Sequence, residues 1–247
     1  MLRRPVIAGI ALLFAAIASG CATSSSSGAQ TADTAFYGGT ILVNPGPGQS
    51  TLPLTKMAEI KQVARVRTAF PAYRFDAQTG AVKTAGVAES DVIVASDPTE
   101  AAWSGLRTTY AFGHAIDADS SGEVVLGSAI AKRLKKTVGD TVDLPTSPSD
   151  GAASHAFKVV GVLAITHTGP DRFANINITD GQMLLQDALP AGQRGQVDVT
   201  AVATAIDVYA KPGTSVEALG RIAGQINEQV PGVKALKPSD LIASVKR

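Results

Sequence analysis

The feature that most limits the fold of this chain is a strand–helix–strand unit near its C-terminal end. Ala205–Ala210 alternates in polarity as a strand does, and Pro212-Gly213 predicts a turn after it. Thr214 and Glu217 have the spacing of a capping box, which predicts the start of a helix. The apolar side chains that follow at helical spacing are Val216, Leu219, Ile222, Ala223, Ile226 and Val230. A Pro-Gly pair ends this helix, and Val233–Leu236 is the next predicted strand.

A similar unit is predicted where the folded part of the chain begins. Thr40–Val43 is a predicted strand, and Thr55 is the predicted cap of a helix. Val66–Phe75 is then extended, and Pro71 within it favours a sheet edge or a bend. Two such units side by side form a ferredoxin-like (porter-type) α+β sandwich in which the first and last parts of the chain pair. Two unrelated hairpins are the alternative interpretation.

The residues between the two units are predicted to form an inserted, β-rich lobe. The strands and helices expected there are Glu123–Leu126, Ser128–Lys135, Asp140–Leu144, Phe157–Ile165, Asn175–Ile178 and Asp180–Leu189. Thr146–Ser154 is polar and is expected to be a loop. The predicted fold class is therefore α+β, with residues 36–98 and 200–241 in the porter-like subdomain and residues 99–199 in the inserted subdomain. Residues 242–247 are a predicted C-terminal tail.

The N-terminal residues have the pattern of a secretory signal. Two arginines precede the apolar run Val6–Cys21, whose 16 residues would span about 24 Å as a helix, less than the roughly 30 Å of a bilayer core. The run ends in Ala18-Ser19-Gly20-Cys21, which resembles the lipobox of bacterial lipoproteins. Cys21, the only cysteine, is therefore the expected lipidation site, and residues 1–21 are the expected lipoprotein signal peptide. A short uncleaved membrane anchor and an ordinary cleaved signal are the alternatives.

A predicted tether follows the lipidation site. Residues 22–35 are rich in Ser, Thr and Ala and contain no large apolar side chain, which is typical of a flexible linker. We therefore expect the folded part of the chain outside the cytoplasm, held at the cell membrane through the lipid anchor.

Composition and spacing exclude several classes of function. Lys plus Arg is 22 and Asp plus Glu is 21, so a net charge of +1 lacks the basic excess of a nucleic-acid-binding protein. A single Cys excludes an internal disulfide and a Cys-based zinc site. His114, His155 and His167 lack metal-ligand spacing, and neither a Gly-x-Ser-x-Gly elbow nor a Walker motif occurs. We therefore expect no catalytic residues, no cofactor and no metal.

The middle of the chain carries a family resemblance. Gly122–Leu144 contains Val-Val-Leu-Gly, then Lys-Arg-Leu, then Val-Gly-Asp-Thr-Val, and the predicted strand Phe157–Leu163 follows it. Tyr110–Gly113 precedes it and is followed by His114. Together with the terminal strand–helix–strand unit, these motifs resemble the periplasmic core domain of MacB/FtsX-type ABC transporter permeases, over about residues 36–241. In that family an Arg is usual at the position of His114.

The resemblance implies a non-catalytic extracytoplasmic domain whose partner is an ABC transporter permease and ATPase complex. Because the sequence shows no pore, coupling helix or ATPase motif, we expect an accessory role rather than transport by this chain alone. Homodimerisation is left open. The expected contact regions are the loops at the lobe junction and residues 146–154 and 168–174, with Trp103 in the core or an interface. The alternative is an extracytoplasmic solute- or peptide-binding lipoprotein with a cleft between two lobes.

Overall fold

The computed structural model describes residues 35–77, 91–146 and 153–245. Its strands are β1 Ile41–Pro45, β2 Leu52–Pro53, β3 Val66–Ala77, β4 Asp91–Ser96, β5 Tyr110–Gly113, β6 Glu123–Leu126, β7 Thr141–Thr146, β8 Ala153–Leu163, β9 Phe173–Ile176, β10 Val202–Ala203, β11 Ala205–Ala210 and β12 Val233–Ala235. Its α-helices are α1 Thr55–Gln62, α2 Ser128–Leu134, α3 Ile178–Ala188, α4 Val216–Gln229 and α5 Pro238–Val245. Cys21 and most of the predicted tether lie outside the described residues.

The first and last parts of the chain pair in one antiparallel sheet. The strand order is β12-β1-β11-β3, with Leu42 opposite Asp207 and Asn44 opposite Lys234. Helix α1 lies between β1 and β3 in sequence, α4 lies between β11 and β12, and both helices cover the same face. If these four strands are numbered 1 to 4 as they occur along the chain, their order in the sheet is 4-1-3-2. This is the strand order of a ferredoxin-like sandwich. The predicted fold class is confirmed.

The apolar stripe of α4 packs this sandwich. Its buried side chains are Leu219, Ile222, Ala223 and Ile226, each at most 1% exposed. They contact the inward-facing residues of the sheet and of α1, which are Ile41, Val43, Ile206, Val208 and Ile60. Full burial of one such side chain is worth about 1.5–3 kcal/mol, so this stripe supplies much of the stability of the sandwich.

The sheet continues from the sandwich into the inserted part of the chain. Beyond β3 the order is β4-β9-β6-β8-β5, and β7 also pairs with β8, which gives ten strands. β4 and β9 are parallel, with Val92 opposite Phe173 and Ala95 opposite Ile176. A second apolar core joins the two parts, and its largest members are Tyr73, Ile93, Leu126, Ile130, Leu144, Phe157 and Leu184. The inserted part is β-rich, as predicted, but it extends the first sheet rather than forming a separate one.

Several local predictions differ from the structure. Pro71 is not at an edge, because β3 pairs with both β11 and β4; it is accommodated because the ladder to β4 begins one residue later, at Ala72. The loop predicted from Thr146 to Ser154 is shorter, because both residues belong to the β7–β8 hairpin, and residues 147–152 lie outside the described part. Helix α5 includes residues 242–245 of the predicted C-terminal segment.

Helix caps also differ from the predictions. α1 begins at Thr55, but the N-cap position is Leu54 and no side chain caps it. Helix α4 is capped by Ser215, whose hydroxyl oxygen accepts the N–H of Ala218 at 3.3 Å. The Thr214 hydroxyl instead donates to the Lys211 carbonyl at 2.6 Å and closes the preceding turn. The capping residue in α4 is therefore one position later than predicted.

Candidate functional site

The predicted contact segment 168–174 is packed into the fold rather than presented as a free loop. Pro170 and Asp171 are buried within the short 3-10 turn Gly169–Arg172. The Asp171 carboxylate accepts hydrogen bonds from the backbone N–H groups of Thr166 and His167 and from the Thr166 hydroxyl, each at 2.8 Å. These bonds hold His167 at φ 58°, a left-handed conformation that costs energy for a residue with a Cβ. Asp171 therefore stabilises the loop from within.

Position 127, where β6 turns into α2, requires a glycine. A Cβ at this position would lie 2.2 Å from the Pro170 carbonyl oxygen and 2.5 Å from the Asp171 carbonyl carbon. The Gly127 N–H also donates to the Phe173 carbonyl at 2.7 Å. Its backbone φ of −64° is available to any residue, so the requirement is close approach of two backbones and not conformational freedom.

The chain enters the folded part at the junction between the sandwich and the insertion. The Phe36 ring contacts the Tyr37 ring, with centroids 4.7 Å apart, and the Phe173 ring at the start of β9, with centroids 5.7 Å apart. A Cβ on Gly105 would lie 2.5 Å from the Ala35 carbonyl oxygen, so the backbones of these two segments touch. The residue next to the predicted tether is therefore anchored on the segment that follows β4.

That segment, residues 97–105, is called here the crossing segment. It lies on the face of the sheet opposite α1 and α4, called here the second face, where the side chains include Leu42, Phe70, Asp207 and Tyr209. Glu100 from the crossing segment accepts a hydrogen bond from Tyr209 Oη at 2.7 Å. The Trp103 ring lies over the Tyr209 ring with centroids 6.4 Å apart, so Trp103 packs against the sheet.

A buried polar cluster lies beneath the crossing segment. Arg74 Nη2 on β3 donates to Asp207 Oδ2 on β11 at 2.7 Å. Glu100 and Asp207 are only 8% and 3% exposed, and their carboxyl groups are in hydrogen-bonding contact. Glu100 Oε2, Asp207 Oδ1 and Arg74 Nη1 are buried without a hydrogen-bond partner among the described groups, and a proton between the two oxygens would satisfy both of them.

Burial and charge determine the protonation of this cluster. Removal from water, together with the negative charge of Asp207, raises the pKa of Glu100 to about 8. Burial also raises the pKa of Tyr209, and the negative charges of Glu100 and Asp207 raise it further. Burial opposes the charge of Arg74, but the attraction of Asp207 leaves the pKa of Arg74 above its usual value. At neutral pH the cluster therefore holds Arg74 as a cation and Glu100 as a neutral acid.

Another buried carboxylate, Asp91, lies where β4 begins. It forms an ion pair with Arg133 of α2, and Arg172 Nη2 lies 3.6 Å from its Oδ1. The contact joins α2, β4 and the 3-10 turn. The sequence alone did not single out Arg133, Asp91 or Glu100, because spacing does not reveal a partner that is distant in sequence.

The three histidines are not brought together. His155 Nε2 lies 2.5 Å from Asp187 Oδ2 on α3, whereas His114 Nδ1 contacts the Ala115 carbonyl at 2.7 Å. His167 contributes its backbone N–H to Asp171. In the described ranges no group of His, Cys, Asp and Glu has a geometry that could hold a metal ion.

The part of the surface that the structure describes includes an apolar edge and a shallow groove. The exposed large apolar side chains near β5 and the end of β8 are Tyr110, Phe112, Val138 and Ile165. The groove lies between α4 and α5, has a volume of about 590 Å³ and is lined partly by Gly220 and Gly224. Among the described helices none is both long and apolar enough to cross a bilayer.

Comparison with known proteins identifies the family. The sequence model of the MacB-like periplasmic core domain matches residues 6–226. The chain belongs to this family. A comparison with curated protein sequences found no match.

Two solved structures of transporter domains are similar to this chain. The periplasmic region of MacB from Actinobacillus actinomycetemcomitans is 11% identical, with a TM-score of 0.50, over 85% of this chain and 93% of that one. The extracellular domain of the ABC-type transporter YknZ from Gram-positive bacteria is 9% identical, with a TM-score of 0.47, over 80% of this chain and 99% of that one. The match to the periplasmic region of MacB, at a TM-score of 0.50, shows that the mixed sheet described above is the fold of that domain.

The residues that carried the family resemblance in sequence are structural. The run Gly122–Leu144 forms β6, α2 and β7, and Phe157–Leu163 lies within β8 beside β6. Gly139 has φ 95° in the turn before β7, a conformation that glycine adopts without strain. His114, which replaces the usual Arg, donates its backbone N–H to the Val160 carbonyl at 3.1 Å just after β5. In this MacB-like domain the motif therefore specifies turns and close packing.

Proposed function

We propose that this chain is a membrane-anchored extracytoplasmic domain that binds other proteins and performs no chemistry of its own. Its partner is an ABC transporter permease and ATPase complex of the MacB/FtsX type, active in export, lipoprotein release or cell-wall regulation. The observation that carries the proposal is the family match over residues 6–226. Residues 36–98 with 200–241 form the porter-like subdomain, and residues 99–199 form the inserted one.

Anchoring is assigned to Cys21. Residues 1–21 act as a lipoprotein signal, Cys21 carries the lipid and residues 22–35 form the tether that ends at the Phe36 contact. The family match begins within the apolar N-terminal run, so an uncleaved helical anchor is the rival that an experiment must separate. Both place the folded part on the extracytoplasmic side of the membrane.

The anchoring experiment compares wild type with Cys21→Ala and a matched Ser27→Ala control in the tether. Lipidation requires the thiol, so Cys21→Ala should leave the membrane fraction while the control remains there. If Cys21→Ala stays in the membrane fraction, the protein is held there by an uncleaved helix, and the lipidation proposal is wrong.

The partner experiment uses affinity purification of the tagged protein from detergent-solubilised native membranes. We expect a multi-span permease and an ATPase among the co-purifying proteins, and their absence under cross-linking would contradict the proposal. A solute- or peptide-binding lipoprotein is the rival, and it needs a cleft at the lobe junction. In the residues that the structure describes, the β4–β9 ladder and a shared apolar core occupy that junction, which favours a single rigid unit.

A further inference from the structure

The buried cluster under the crossing segment contains one more acidic group than it has cations. Arg74 is the cation of the cluster, and it hydrogen-bonds Asp207. Glu100 is carried by the crossing segment and faces Asp207 and Tyr209 on β11 and Arg74 on β3. If both carboxyl groups were ionised, the cluster would hold a net negative charge away from water, which costs several kcal/mol.

The hydrogen-bond pattern favours a proton between the carboxyl groups. Tyr209 donates to Glu100 Oε1 and Arg74 donates to Asp207 Oδ2, and each residue then has one buried oxygen without a donor. Two carboxylate oxygens cannot hydrogen-bond each other unless one of them is protonated. With that proton, Glu100 donates to Asp207 and every oxygen of the pair has a partner.

We propose that one proton, held between the carboxyl groups of Glu100 and Asp207, fastens the crossing segment to the second face of the sheet, and that its loss to solvent at alkaline pH releases this segment. The step breaks the O–H bond of Glu100, transfers the proton to water and leaves two facing carboxylates. Their repulsion acts on Glu100, because it belongs to a short connecting segment, whereas Asp207 is fixed in a central strand.

Release of the crossing segment would extend to the place where the chain enters the fold. Gly105, at the end of this segment, contacts Ala35 through backbone atoms, and Gly39 packs near the same carbonyl. The protonated pair therefore holds two chain segments in place. One is the crossing segment, which leads from β4 into the insertion, and the other is the N-terminal segment that contacts it at Ala35. This inference does not depend on the proposed partner.

The structure contains its own reporter for this test. Trp103 is the only tryptophan in the chain and packs against Tyr209 within the cluster. We would titrate the full-length protein in detergent between about pH 6 and 9.5, and follow Trp103 emission together with hydrogen exchange of peptides covering residues 97–105. The wild type should show a transition in both signals with a midpoint near pH 8.

Three variants separate the proposal from a general alkaline effect. Glu100→Gln keeps the shape, accepts from Tyr209 and donates to Asp207 without a titratable proton, so its signals should be flat over this range. Asp207→Asn removes the neighbouring charge, so the midpoint should move down by at least one pH unit. Glu59→Gln is the matched control, since Glu59 is exposed and pairs with Lys56 at 2.8 Å, and it should titrate as the wild type.

The proposal also has a test that needs no variant. The carboxyl carbon of Glu100, followed by NMR in labelled wild-type protein, should report a neutral acid at pH 7. An ionised Glu100 at pH 7 would overturn the proposal, and so would a Trp103 transition that Glu100→Gln leaves unchanged.

Discussion

Tyr209 Oη donates a hydrogen bond of 2.7 Å to Glu100 Oε1 across 109 positions of sequence. The bond joins a central strand of the ferredoxin-like unit to the segment that leads into the insertion. It is accompanied by the Arg74–Asp207 ion pair on the same face of the sheet. The two halves of the chain are therefore joined by a polar cluster on one face, as they are by an apolar core on the other.

The first prediction concerns the pH dependence of global stability. Glu100 has a folded-state pKa of about 8 against a usual value of 4.5, so between these values the folded protein keeps a proton that the unfolded chain has lost. This group's contribution to stability is therefore complete below pH 4.5, falls as pH rises and is lost by pH 8. Denaturant melts of the wild type should show a fall that approaches about 1.4 kcal/mol per pH unit relative to Glu100→Gln.

If the free energies of unfolding of the wild type and Glu100→Gln differed by a constant amount between pH 4.5 and about pH 8, this prediction would be contradicted. We expect Glu100→Gln to be the more stable protein at alkaline pH, because only the wild type then buries a second negative charge.

The second prediction compares two glycines. Gly127→Ala should lower the free energy of unfolding by about 3 kcal/mol, because its Cβ would meet backbone atoms that cannot move aside. Gly224→Ala, in the middle of α4 where a new Cβ would meet no neighbouring atom within 4 Å, should raise it by about 0.5–1 kcal/mol. Thermal and urea unfolding would measure both, and equal effects at the two sites would be inconsistent with the described packing.

The third prediction uses two aspartates with the same local bonding pattern and different burial. Asp171 accepts from the N–H and hydroxyl of Thr166, and exposed Asp198 accepts likewise from Thr200. Asp171→Ala should lower the free energy of unfolding by about 1–3 kcal/mol, since it leaves three partly buried donors without their acceptor and His167 without its restraint. Asp198→Ala should cost much less, because water replaces the lost acceptor. A larger loss at Asp198 in urea unfolding would contradict the assigned role of Asp171.

The sequence predicted those parts of the fold that depend on local patterns. The apolar side chains from Leu219 to Val230, the C-cap residue of α4, are buried. The cap of α4 was misplaced by one residue because Thr214 and Ser215 are both capable acceptors, and the turn after β11 uses the first of them.

Features that depend on distant partners were not predictable from one sequence. Nothing in the local pattern around Pro71 shows that β4 begins its pairing one residue further on. Glu100 is a charged residue in a turn, which the sequence alone would place at the surface. Its burial follows from Asp207 and Tyr209 on a strand far along the chain. The parallel β4–β9 pairing, which merges the insertion with the first sheet, likewise has no local sign.

The central claim is that the first and last parts of this chain form one sheet, and a cross-link tests it most directly. Asn44 and Lys234 are opposite each other on β1 and β12, at the separation of about 4.5–5.5 Å between Cα atoms that a disulfide can bridge. In a Cys21→Ser background, Asn44→Cys with Lys234→Cys should form a disulfide on mild oxidation, seen as a faster band on a non-reducing gel. The matched pair Asn44→Cys with Ser154→Cys, on β1 and β8, should remain reduced. A disulfide in the second pair and none in the first would contradict the account.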